Sequence, residues 1–260
     1  MMKKILPVLA LITMTLVGCK DDEPGTPRTS GSVLVDLTNV VGSVNLDETG
    51  ATWYTNASGE SFSVTRLKYY LSNFELIRND EVKYKLENGY FLVDESNQAS
   101  TVLELPDVPA GQYDKIRFLI GVDSARNVSG AQTGALDPAN GMFWTWSTGY
   151  IFYKLEGKSP ASANVDSTFN YHIAGFRESN NTNSLRWVEL SFNGSTLTVD
   201  GDREAEVHIF ADHLRFFDGP PNQMTITGNY NVMTPGPRAQ EFADNYAQLF
   251  RFDHLHNSAH

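Results

Sequence analysis

From residue 32 to residue 211 the apolar residues fall at every second position in short runs, and most runs are closed by Gly, Pro, Asn or Asp. A period of two is the signature of a strand with one buried face. Val33, Val35 and Leu37 alternate with polar neighbours, as do Ile116, Phe118 and Ile120, Phe169, Tyr171 and Ile173, and Val207, Ile209 and Ala211. The longest run, 62–77, is expected to be strand throughout and bent at Ser72-Asn73. Asn79-Asp80 and Asn193-Gly194 are hairpin signals. The run 102–105 stops before Pro106, and 224–227 is expected to be one more short strand. A helical period appears convincingly once, in 239–252, where Phe242, Tyr246, Leu249 and Phe250 are spaced for one face. The pattern predicts an all-β chain, an antiparallel β-sandwich with long loops and a short C-terminal helix.

The first 19 residues read as an export signal. Lys3 and Lys4 precede an apolar run over 5–17 that is short for a bilayer span, which needs about 20 apolar residues. Leu16-Val-Gly-Cys19 has the form of a lipobox, so Cys19 is the expected lipidation site. Lys20-Asp-Asp-Glu23 resembles the export signal of Bacteroidetes surface lipoproteins. Residues 20–31 are polar and contain Pro24, Gly25 and Pro27, as a flexible tether requires. The expected organisation is a signal peptide over 1–19, a tether over 20–31 and one β domain over 32–260. It is expected in the outer membrane, on its surface or its periplasmic face, held by the lipid.

Cys19 is the chain's single cysteine, so neither an internal disulfide nor a thiolate metal site is available. The net charge of −11 disfavours nucleic acid and anionic membrane surfaces as partners and is compatible with cations. No nucleophile elbow, zinc-protease helix or P-loop is present, and no enzymatic activity is expected. Asp200-Gly-Asp202 lacks the remaining ligands of a calcium loop and reads as a solvated turn.

The most distinctive stretch is 134–157. A breaker-rich loop leads into Phe143-Trp144-Thr-Trp146-Ser-Thr-Gly-Tyr150, and a continuous strand there places Trp144, Trp146 and Tyr150 on one face. Residues 123–140 form the longest irregular segment, expected to wall a site or cover one end of a sheet. Among the histidines, His254 and His256 are two apart, so on an extended segment both rings point the same way. His208 and His213 lack a helical ligand spacing, and His260 is terminal.

Met142-Phe-Trp-Thr-Trp-Ser-Thr-Gly-Tyr-Ile-Phe-Tyr-Lys-Leu-Glu-Gly157 resembles the signature of the MbnP-like copper-binding proteins. Leu67-Lys-Tyr-Tyr-Leu-Ser-Asn-Phe-Glu-Leu76, the segment 109–123, and Phe169-Asn-Tyr-His-Ile-Ala-Gly175 agree in order, and the resemblance spans roughly 32–256. It implies non-enzymatic copper binding at the cell envelope. It also implies a partner, a di-haem enzyme of the peroxidase superfamily, that oxidises a tryptophan to kynurenine, whose aromatic amine then helps to bind copper(I). Carried onto this chain, Trp144 and Trp146 are the candidates for modification, with Trp53 and Trp187 behind them. His172, with His254 and His256, is the expected ligand set. Related copper sites have Trp-x-His where this chain has Trp144-Thr-Trp146. Many members carry a His in the stretch corresponding to Asn39. The competing expectation is a metal-free surface module whose aromatic face, Trp144, Trp146 and Tyr150, stacks on a glycan or a protein.

Overall fold

The computed structural model describes residues 29–130, 132–145, 149–177, 182–201 and 204–257. The export signal, Cys19, most of the tether, Trp146 and His260 lie outside the described residues. Two sheets face each other across one large core. The smaller runs in the order Phe250–His256, Ala205–Asp212, Ser30–Val41, Val44–Asn45, with Val102–Pro109 also on Ser30–Val41. The larger has the spine Arg186–Ser191, Lys115–Ile120, Ser61–Arg78, Gly149–Lys158, Thr168–Ala174, Asn231–Val232, with four shorter strands on its flanks. The β-sandwich is as the alternation requires, and the helical period gives a C-terminal helix, Pro237–Tyr246, that ends earlier than expected and leaves Phe250 to open the last strand.

Alternation decides which side chains meet. Val33, Val35 and Leu37 from one sheet and Leu67, Tyr69 and Leu71 from the other are buried in the common core. Burying each such side chain contributes about 1.5–3 kcal/mol. Short helical segments close one side with aromatic rings. Phe216 stacks on Tyr153 with centroids 4.9 Å apart and on Phe242 at 4.6 Å. A second, smaller core lies on the opposite face of the larger sheet. There Tyr70, Tyr150 and Phe152 pack against Leu136 and Met142 from the loop 123–142. Tyr70 and Tyr150 hydroxyls donate to the Ala135 and Leu136 carbonyls at 2.8 and 2.7 Å, so the loop covers one end of the sheet as expected.

Four local readings differ from the alternation. Ser30–Val41 pairs with Ala205–Asp212 in parallel, because all of the larger sheet except Asn231–Val232 is inserted between them in sequence and no short turn joins them. Val102–Pro109 runs through Pro106, which is tolerated because this strand has a neighbour on one side only. The segment 224–227 is irregular rather than strand, with Ile226 buried. Asn193 and Gly194 both adopt positive φ, 55° and 88°, as a primed turn demands, yet the flanking strands do not pair. Arg186–Ser191 pairs with Lys115–Ile120, and Leu197–Val199 with Gly111–Tyr113.

The aromatic stretch is the largest correction. Phe143–Thr145 is not continuous with Gly149–Lys158 but folds back on it, with Phe143 opposite Tyr150 and Thr145 opposite Gly149. Gly149 has φ +74°, and a Cβ there would collide with the Asn127 carboxamide. Tyr150 therefore leaves the expected aromatic face and is fully buried. The bend expected at Ser72-Asn73 is present: Asn73 has φ +52° and the pairing register with Lys115–Ile120 shifts there.

Gly157 lies where two strands and the core converge. An added Cβ would overlap the Ser63 carbonyl oxygen and come within 2.5 Å of Phe169 Cζ. Gly157→Ala is expected to destabilise the fold by about 3 kcal/mol. The shift in urea midpoint at unchanged m measures it, and an unshifted midpoint contradicts the packing.

Candidate metal-binding residues

The sequence-predicted ligands occupy two places. His172 sits on Thr168–Ala174 in the larger sheet, while His254 and His256 sit on Phe250–His256 in the smaller. The two sets are built by different cross-strand rows.

Asp94, Lys68, Lys154 and His172 are successive partners across four strands of the larger sheet. Asp94 pairs with Lys68 at 2.7 Å. The Lys68 and Lys154 ammonium groups donate to the Asn140 and Gly141 carbonyls at 3.4 and 2.5 Å. Those bonds fasten the end of the loop to the sheet, and the strand that follows carries Trp144 onto His172. The indole and imidazole centroids are 6.2 Å apart and tilted by 39°. His172 is buried, and its Nε2 is 2.7 Å from Glu156 Oε1. The hydrogen bond from His172 lowers the Glu156 pKa against the opposing effect of burial. A carboxylate accepts only, so Nε2 carries the proton, and in the neutral ring Nδ1 carries the lone pair. His172 Nδ1 is buried and has no hydrogen-bond partner.

In the smaller sheet the last strand lies antiparallel to Ala205–Asp212, with His208 opposite His254 and Glu206 opposite His256. His254 and His256 point the same way, as their spacing requires, and their Nε2 atoms are 3.1 Å apart. His208 completes a group of three, with one ligating atom from each ring within 4.8 Å of the others. Its outward direction was readable from the alternation of Val207, Ile209 and Ala211. Its neighbours were not, because they belong to a strand more than forty residues later.

A sequence model of the MbnP family matches residues 30–234. The chain belongs to the MbnP family. A solved structure, MbnP from Methylosinus trichosporium, shares the fold, with a TM-score of 0.51 and 15% identity over 82% of this chain and 88% of that one. No curated protein matches the chain. Membership ties the chain to a copper-related role in general terms. The match includes Asn39, Trp144, His172 and His208 and ends before His254 and His256.

Asn39 has work of its own in this MbnP-family chain. Its Oδ1 accepts from the Tyr69 hydroxyl and from His213 Nε2, both at 2.8 Å, and its Nδ2 donates to Glu95 at 2.7 Å. His213 Nδ1 in turn accepts from the Tyr153 hydroxyl at 2.7 Å. Both nitrogens of His213 and both ends of the Asn39 amide are therefore satisfied inside the core, leaving neither residue free to ligate.

Burial pushes the His213 imidazole from 6.5 down to about 3. The folded value lies below the unfolded one, so between these limits the unfolded chain takes up a proton that the folded chain refuses. Stability present above about pH 6.5 is lost as pH falls, by about 1.4 kcal/mol per unit. Unfolding free energies should show that slope between about pH 6.5 and 5 and none from this residue above it, and His213→Gln should reduce the slope by this amount. An equal slope in the variant contradicts the assignment.

Proposed function

We propose that this chain is an exported, lipid-anchored protein that binds copper without enzymatic activity, in a cradle built on His172 and Trp144. The observation that carries this reading is the buried, unpartnered Nδ1 of His172 on a ring packed against Trp144. These are the histidine and one of the tryptophans that the family resemblance singles out. Glu156 on the opposite nitrogen fixes the tautomer and raises the basicity of Nδ1, as the outer partner of a metal-bound imidazole does.

A bare indole offers copper a poor ligand, because its nitrogen lone pair belongs to the ring. Conversion of Trp144 to kynurenine is an oxidation that cleaves the indole C2–C3 bond and adds two oxygen atoms; hydrolysis of the resulting formamide then releases C2 as formate, so the side chain loses one carbon, gains one oxygen and keeps an aryl amine. Imidazole and aromatic amine then supply two neutral nitrogen donors, a set suited to copper when no thiolate is available. The oxidising equivalents come from the di-haem, peroxidase-superfamily partner that the resemblance implies. The ordered row of Lys68 and Lys154 has a positioning role, holding the loop so that the tryptophan faces the imidazole. The lipobox at Cys19 and the acidic segment after it support an outer-membrane location, and the lipid supplies the membrane contact. A metal-free aromatic platform has less support, because Tyr150, one of its three expected rings, is buried.

Copper(I) affinity of the modified protein, read by competition with a chromogenic chelator, tests the cradle. His172→Ala and Trp144→Phe should each weaken binding by at least about tenfold, while His254→Ala leaves it unchanged. Wild-type affinity in His172→Ala would remove the cradle.

A further inference from the structure

A separate group of side chains on the smaller sheet has the composition of a metal site, with its ligating atoms close together, and it does not depend on the copper cradle. Asp36, His208 and His254 are partners across three strands, on the face turned away from the core. Glu206 and His256 form the adjacent pair. Between Ile209 and His208 the pairing shifts by one residue, so that Asp253 is the extra residue of a bulge. The bulge sets His254 flat on His208, with centroids 4.2 Å apart and planes within 8°. His256 stands nearly perpendicular to both, at 5.0 and 4.7 Å.

Three details distinguish this group from a solvated cluster. His208 Nε2 is buried and makes no hydrogen bond, although Glu206 Oε1 lies 3.4 Å away. His254 Nδ1 meets the Asp253 carboxylate at 2.8 Å. In the neutral ring that contact places the proton on Nδ1 and the lone pair on Nε2, the carboxylate–imidazole arrangement found behind metal-bound histidines. That Nε2 faces His256 Nε2 at 3.1 Å. Two nitrogens at about 2.0 Å from one tetrahedral ion stand about 3.3 Å apart, close to the separation present.

We propose that His208, His254 and His256 bind one divalent copper or zinc ion, with a carboxylate from Asp36 or Glu206 available as a fourth donor. Both carboxylates lie within reach of His208, since one ligating atom from each of the three also falls within 4.8 Å of the others. The donors are imidazole nitrogen and carboxylate oxygen with no sulfur, which favours these divalent ions over soft copper(I). Asp36, Glu206 and His208 lie inside the family match, while His254 and His256 lie beyond residue 234, where it ends, so the match spans only part of the group. An ion held there joins the last strand to its neighbour.

The test is calorimetric titration of the full chain with zinc and with copper(II), with copper(II) followed also by electron paramagnetic resonance. The expected result is one equivalent bound by wild type, with nitrogen hyperfine structure for copper(II) and a raised melting temperature. His254→Gln and His256→Gln, at exposed positions, should abolish or weaken binding by more than about tenfold. Asp253→Asn should weaken it by about tenfold, and His172→Ala should leave zinc binding intact. Metal-free melting temperatures equal to wild type show that the variants fold. Absence of zinc and copper(II) binding in wild type, or unchanged binding in both glutamine variants, overturns the proposal.

Discussion

The pairing of Ser61–Arg78 with Gly149–Lys158 fixes everything else. Its register sets Tyr69 opposite Tyr153 and Lys68 opposite Lys154. A slip of one residue would turn the slipped strand over and exchange its two faces. Tyr69 or Tyr153 then leaves the core, and with it a hydroxyl that satisfies Asn39 or His213. Lys68 or Lys154 leaves the outer face with it, and the loop that presents Trp144 loses one of its ammonium anchors. Gly157 and the bulge beside it hold this register from one end.

One side-chain type meets three different fates on this frame. His213 is surrounded by aromatic rings and two hydrogen-bond partners, so it is neutral, saturated and structural. His172 is also buried but has one hydrogen-bond partner and an unpartnered Nδ1, beside an oxidisable ring. His208, His254 and His256 lie near the surface, with the Nε2 atoms of His254 and His256 within hydrogen-bonding distance and His208 beside them. The number of hydrogen-bond partners, rather than burial alone, separates the structural imidazole from the candidate ligands.

The fold class was legible because alternation records which side chains face the core, and it placed Val207, Ile209 and Ala211 inward correctly. What alternation cannot record is which strand lies alongside. His208 carried the right direction and no visible partners, and Asn193-Gly194 carried the right turn and the wrong pairing. The reversal between Thr145 and Gly149 was hidden for a related reason. A run of aromatic residues looks the same whether the strand continues or doubles back, and the deciding clue was the single Gly149. The family resemblance singles out Trp144 and His172 because short contiguous segments carry both. Their contact depends on a loop anchored by two lysines, which no local pattern reveals.

The cradle stands or falls on the chemistry of one residue, so the most direct measurement is peptide mass mapping, with copper analysis, of the protein recovered from its own envelope. The account predicts that the peptide containing Trp144 has lost one carbon and gained one oxygen, and that copper accompanies the modified chain. An unmodified Trp144 in protein that carries copper with undiminished affinity would contradict it.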